Sequence, residues 1–349
     1  MRVLIYGAGA VGLGIASCLL KSRYRPARPF DPSTLLRAGL LSSLRRPRGR
    51  AGRKAGRVDI IARENTVSAL KKHGLVRTGI WGDFHAEPSK FGSYTSLGQV
   101  RARKYDYILV CTKSFDSLAA AKNLSEHKSL FGKETRIVLF QNGWGNAEAF
   151  STFFNRGRIY NARVITGFQR TNANEVAITV HADSIHIGSL FNKDSSPLTD
   201  LCEAIAAGDI PCQVTNEIVK DLWAKMLYNC ALNPLGAILD VPYGVLAQNQ
   251  TTRTIMNGIV DEAFSVMTEA GYKTHWPTSE DFLEVFYDKL VPDTAEHKSS
   301  TLQDIMAKKT TEIDALNGAV IRLAERYKAK VPYNLVIYNL IKFIEGRSI

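Results

Sequence analysis

Cysteine is scarce in this chain, and net charge is scarce everywhere except in one short stretch. The 349 residues include five cysteines, Cys18, Cys111, Cys202, Cys212 and Cys230, an odd set without a C-x-x-C pair. Such spacing writes neither a disulfide framework nor a zinc cluster, so the thiols read as reduced in a cytoplasmic protein and no metal site is indicated. No segment recurs at the periods of about 20–50 residues that mark solenoids and propellers. The formal net charge is +12, yet residues 21–57 hold twelve Lys and Arg against Asp31 alone. The rest of the chain therefore gives no electrostatic reason to expect a polyanion, and nucleic acid is not expected as its partner. The basic stretch, with Arg45-Arg-Pro-Arg-Gly-Arg-Ala-Gly-Arg-Lys54 inside it, reads either as a solvated low-complexity loop or as a nucleic-acid patch.

An uncharged run at residues 3–20 raises the question of a membrane or signal helix, but it carries four glycines. Each costs about 1 kcal/mol relative to alanine inside a helix, and their spacing suits a strand, a turn and a helix instead. Val3 to Tyr6 is a β-rich run, Gly7-Ala-Gly9-Ala10-Val11-Gly12 follows, and Leu13 to Leu20 is apolar enough for a buried helix. In a dinucleotide-binding turn the first glycine allows the bend, the second lets the backbone approach a pyrophosphate, and the third permits close packing of helix on strand. Gly7, Gly9, Ala10, Val11 and Gly12 are thus candidate cofactor contacts.

A second strand is expected at Val58–Ala62, delayed by an insertion at about 22–57. It ends in Arg63, whose guanidinium suits the 2′-phosphate of NADP better than the ribose hydroxyl of NAD, although Glu64 follows directly. Helix is expected at Thr66–His73, ended by Gly74, and over Ser117–Leu130, with buried strands at Tyr105–Thr112 and Arg136–Gln141 and further strands within 157–190. From Glu217 onward the pattern is helical, at about 217–233, 250–270, 300–327 and 334–345. The expected architecture is an N-terminal Rossmann-type doubly wound α/β sheet over 1–215, followed by an all-α domain over 216–349.

Lys113 and Gln141-Asn142-Gly143 lie at strand ends, where open parallel sheets bind ligands. Lys225, Asn229 and Asn233 recur every four residues on a helix and interrupt a face that otherwise wants burial. Each candidate has a purely structural alternative: an Asp221–Lys225 surface pair, asparagines capping the helix before Pro234, a capping box of Ser300 with Gln303, and a Glu312–Lys308 pair.

Taken in order, the glycine-rich turn, Lys113, Gln141-Asn142-Gly143, Lys225-Met-Leu-Tyr-Asn229-Cys-Ala-Leu-Asn233-Pro, and Leu302-Gln-Asp304 leading to Thr311-Glu312-Ile-Asp314-x-x-Asn317-Gly318 resemble the ketopantoate reductases (2-dehydropantoate 2-reductases). The resemblance implies reduction of a 2-keto acid by NADPH, with Lys225 as general acid and Glu312 orienting the substrate or the lysine. It implies Asn229 and Ser300 on the hydroxyl and carboxylate ends of the substrate, Asn233 among the substrate contacts, and Asn142 with Lys113 at the nicotinamide side. It leaves room for a homodimer. Two positions depart from the family pattern: Tyr243 in Pro242-Tyr243-Gly244, where Pro-Asn-Gly is common, and His297, three before Ser300, where asparagine is common. A different 2-keto acid therefore stays open, as does a non-catalytic NADP-binding regulator.

Overall fold

The computed structural model describes residues 1–23, 56–101, 103–191 and 194–348; the core of the expected insertion, 24–55, lies outside them. Twelve strands are described: β1 (Arg2–Tyr6), β2 (Arg57–Ile61), β3 (Leu75–Gly79), β4 (Phe84–Ala86), β5 (Gly92–Tyr94), β6 (Tyr105–Val110), β7 (Phe131–Leu139), β8 (Ile159–Arg163), β9 (Thr166–Asn172), β10 (Glu175–His181), β11 (Ile185–Gly188) and β12 (Cys212–Val214). The main sheet runs β12-β11-β8-β7-β6-β1-β2-β5, parallel from β5 to β8. Renumbered along the chain, β5-β2-β1-β6-β7-β8 has the 3-2-1-4-5-6 order of a dinucleotide-binding sheet, and the order reverses between β1 and β6.

Alternation along β1 divides the core. Val3 and Ile5 face one apolar layer and Leu4 the other. The first layer receives α1 (Ala10–Lys21); the second receives α3 (Ser117–Glu126) and α4 (Asn146–Ser151), while α2 (Glu64–His73) follows β2. A second sheet, β4-β3-β10-β9, covers the outer side of α1. From Gly12 to Leu20 α1 is buried on every side, which is why residues 3–20 carry no charge. Contact there is close enough that a Cβ on Gly14 would overlap the Phe168 ring of β9. Strands expected within 157–190 therefore serve two sheets: β8 and β11 extend the main one, and β9 and β10 build the second.

After α5 (Thr199–Ala206) and β12 the chain is helical: α6 (Ile218–Leu239), α7 (Tyr243–Gln248), α8 (Gln250–Glu269), α9 (Ser279–Val285), α10 (Ser300–Met306), α11 (Asn317–Tyr327) and α12 (Pro332–Ser348). Among the described residues no helix is long and apolar enough to cross a membrane. Helix α6 continues through Pro234 rather than stopping before it. Proline offers no N–H to the carbonyl four residues earlier. Asn317 Nδ2 fills that role, donating to Cys230 O at 3.2 Å. The helix expected over 300–327 is broken in two, and the segment between α10 and α11 carries Glu312.

Candidate active site

The glycine-rich turn has the geometry its spacing requires. Gly7 sits at φ +102°, where a side chain is strained, and a Cβ on Gly12 would overlap the Gly7 carbonyl oxygen. Around Gly9 a Cβ would meet nothing within 4 Å, so the backbone there is open to a bound group. Gly9 is also the N-cap of α1, and among the described residues no side chain caps that helix. Its first N–H groups, at Ala10, Val11 and Gly12, are oriented as a pyrophosphate requires. The residues present fit a dinucleotide.

Arg63, exposed, is the N-cap of α2 at the end of β2. Arg170 of β9 approaches from the second sheet, its Nη2 donating to Thr66 Oγ1 at 2.6 Å. Burial, aided by the nearby Arg63 charge, lowers the Arg170 pKa. Two cations thus share the edge of the cradle where the sequence suggested one.

Lys225 projects from α6 toward the strand ends of the main sheet, its ammonium donating to Asn142 Oδ1 at 2.6 Å and to Val164 O at 2.7 Å. Burial pushes its pKa down to about 8; the Glu312 carboxylate opposes that shift and Arg163 adds to it. The Asp221–Lys225 surface pair is not formed, because Asp221 faces His186 and His275.

Asn142 joins the lysine to Glu312: its Nδ2 donates to Glu312 Oε2 at 3.1 Å while its oxygen receives Lys225. Glu312 Oε1 accepts from the Ser114 N–H at 3.0 Å, and Lys113 Nζ lies 3.5 Å from Oε2 and 2.7 Å from Asp304 Oδ2. Burial opposes the Lys113 charge, but Glu312 and Asp304 together raise its pKa. Glu312 is therefore a bridge between the sheet and the helices, not a partner of Lys308. Gly143 is demanded by the same junction: its φ is +84°, and a Cβ would overlap Ala315, whose carbonyl accepts from the Trp144 N–H at 2.8 Å.

Gln141, Asn142, Gly143, Ala162, Leu222, Lys225, Met226 and Asn229 line one cleft. It unites Lys225, Asn142 and Asn229 as expected, with Lys113 and Glu312 directly behind Asn142. Asn233 is one turn further, buried, its Oδ1 accepting from the Tyr243 hydroxyl at 2.5 Å and its carbonyl from Ser299 Oγ at 2.9 Å. The cap of α10 is Ser299, accepting from Leu302 N, with Ser300 at the first helical position, so the capping box of Ser300 with Gln303 is not formed. Sequence reasoning passed over Asp304 and Arg163 as site residues and gave Gln141 no role of its own. Asp304 lay within the quoted motif but shows its role only once α10 faces Lys113. Gln141 Nε2 binds Thr112 Oγ1, Lys113 O and Ser117 Oγ, fixing the loop that carries Lys113.

Comparison with known proteins bears on this arrangement. Residues 49–192 match the family described as ketopantoate reductase PanE/ApbA, and residues 217–345 match its C-terminal family. A 2-dehydropantoate 2-reductase of Aquifex aeolicus is 35% identical over 294 residues, 84% of this chain and 90% of that protein. The chain belongs to the ketopantoate reductase family. A Pyrococcus abyssi protein of the same description is 27% identical over 83% of this chain and 91% of its own length. Among solved structures, the family's ketopantoate reductase from Ralstonia eutropha JMP134 has a TM-score of 0.78 at 25% identity, covering 100% of this chain and 99% of that one. D-mandelate dehydrogenase with NADH and anilino(oxo)acetate shares the fold, with a TM-score of 0.81 at 20% identity over 100% of this chain and 99% of that one. Membership makes the chain an oxidoreductase.

Proposed function

We propose that this protein reduces ketopantoate to pantoate with NADPH, Lys225 being the general acid. The observation carrying this reading is the Lys225 ammonium, held between Asn142 Oδ1 and Val164 O in a cleft at the strand ends. NADPH, when bound, supplies the hydride that reaches C2 of the keto acid. Gly7, Gly9, Ala10, Val11 and Gly12 would hold its pyrophosphate, Arg63 with Arg170 its 2′-phosphate, and Lys113 and Asn142 would lie toward its nicotinamide end.

Lys225 does two things for the reaction. Its charge stabilises the oxygen as negative charge develops there, and one N–H proton passes to that oxygen to give the hydroxyl. A pKa of about 8 keeps most of the group protonated at neutral pH while making transfer easier than from an ordinary lysine. Asn142 aims the ammonium, Glu312 holds Asn142, and Asn229 in the cleft supplies a polar contact for the substrate, while the resemblance assigns Asn229 and Ser300 to its hydroxyl and carboxylate ends and places Asn233 among its contacts.

A second reading is favoured by one observation. The Tyr243 hydroxyl occupies Asn233 Oδ1, and the Tyr243 ring stands 5.3 Å from His297 and 5.8 Å from Tyr228, centroid to centroid. This aromatic group, in place of amides common in the family, changes the polarity beside Asn233, which suits a 2-keto acid other than ketopantoate. NADPH consumption with ketopantoate beside a panel of branched and aryl 2-keto acids separates the two. Highest kcat/KM on ketopantoate is the expected result; highest on an aryl acid would replace it with the second reading, and turnover of none would leave a cofactor-binding protein without this activity.

A further inference from the structure

We infer that Arg163 and Asp221 are positioning residues for Lys225, members of a closed ring of contacts that spans the junction between sheet and helices. This rests on Lys225 being the proton donor. The ring starts at the ammonium, whose acceptor Val164 O belongs to the residue after Arg163. Arg163 ends β8 and stands opposite His186 of β11 in the antiparallel register. Its Nη2 lies 2.7 Å from His186 Nδ1 and donates to Asp183 Oδ2 at 2.9 Å. His186 Nδ1 is in turn 2.9 Å from Asp221 Oδ2, and Asp221 is one helical turn before Lys225 on α6. His275 Nε2 meets the other carboxylate oxygen at 2.8 Å. His186 Nδ1 thus lies between the Arg163 guanidinium, from which it accepts when unprotonated, and the Asp221 carboxylate, to which it donates when protonated, while Gln213 Nε2 lies 2.5 Å from His186 Nε2.

Two features distinguish this ring from a simple brace. Arg163 is only 4% exposed, its Nε has no hydrogen-bond partner among the described residues, and its ion-pair partner Asp183 is half open to solvent, with 41% of its side chain exposed. A buried guanidinium so incompletely neutralised projects its charge onto its surroundings. That charge reaches Lys225, where, after burial and against Glu312, it lowers the lysine's pKa. Asp221 is the counterweight. Burial alone would raise its pKa, but His186, His275 and Arg163 hold the carboxyl well below the usual range, so it stays ionised and partly offsets Arg163. The charged groups bearing on Lys225 are thus Arg163 from β8 and Glu312 from the segment before α11, with Asp183, His186, Asp221 and His275 acting through Arg163.

The test compares wild type with Arg163→Gln, Arg163→Lys and Asp221→Asn. Lys225 titration is followed by carbon NMR of lysine labelled at Cε, its signal assigned by its absence in Lys225→Met, beside the pH profile of kcat with NADPH and ketopantoate. In Arg163→Gln a repelling charge is gone, so the Lys225 titration and the alkaline limb of kcat should both move up by about half a pH unit or more, a threefold gain in proton affinity. Arg163→Lys should restore both. Asp221→Asn should move both down, because Arg163 is then less neutralised. Opposite signs for the two variants are beyond a merely structural role, which would lower kcat or Tm without moving the titration. An unmoved Lys225 titration in Arg163→Gln, or the same direction in both variants, overturns the inference. A moved titration with an unmoved kinetic limb upholds the ring and refutes the proton-donor role.

Discussion

Replacing Glu312 by glutamine keeps the shape of the bridge between Ser114, Asn142 and Lys113 but removes the carboxylate that acts directly on Lys225 to favour its charged form. The two groups are linked by Asn142 through contacts of 2.6 and 3.1 Å, which keeps the charges within about 8 Å of each other. At an effective dielectric of about 20–40, that attraction is worth roughly 1–2 kcal/mol, or about one pH unit in the lysine's titration. Keto-acid reduction needs the ammonium, so kcat should decline as pH rises through about 8 in wild type. In Glu312→Gln the decline should centre near pH 7. Near pH 7.5 this lowers the protonated fraction about threefold, whereas near pH 6 the two proteins should differ little from this cause. Oxidation of the hydroxy acid needs the free amine and should show the opposite limb, moved in the same direction. The assay is kcat across pH at saturating substrate and cofactor, read for the position of the limb, not its height. A limb that stays near pH 8 or moves up would refute the coupling.

Gly9→Val should leave the fold and its unfolding midpoint nearly unchanged, since a Cβ there meets nothing, yet abolish NADPH binding by calorimetry; retained binding would contradict the cradle. Gly12→Ala, whose Cβ would overlap the Gly7 carbonyl, should instead lower Tm. Arg63→Ala should raise KM for NADPH about tenfold or more, the loss of a charge-assisted hydrogen bond, with KM for NADH unchanged; an equal change in both would remove the 2′-phosphate role. Asn317→Leu leaves Cys230 O and Asn334 Oδ1 without their donor and should cost about 2–4 kcal/mol in urea unfolding; a loss below about 0.5 kcal/mol would show that the Pro234 break needs no repair.

Legibility in the sequence followed the range of the interaction. The first strand, glycine turn and helix are specified within twenty residues, Gly7 by its positive φ and Gly12 by the Gly7 carbonyl it packs against, and they fold as read. Lys225 and Asn229 were visible because helical spacing alone sets them on one face. The second sheet was not visible: β3 and β4 are short, and their burial comes from α1 and from strands a hundred residues later. Continuation of α6 through Pro234 depends on Asn317, eighty-seven residues from the carbonyl it satisfies. The segment of Glu312 read as part of a long helix over 300–327 from its hydrophobic pattern, with Lys308 four residues before as the alternative partner, whereas its carboxylate is drawn across to Lys113 and Ser114. Asp221 likewise has a lysine four residues on and prefers two histidines from elsewhere in the chain.

The most direct test of the central claim is a single turnover of preformed NADPH complex with ketopantoate, in wild type and Lys225→Ala, after NADPH affinity has been measured for both. The account expects affinities within about twofold and a hydride-transfer rate lowered by about 10²–10⁴-fold in the variant. Hydride transfer at the wild-type rate without Lys225 would contradict it.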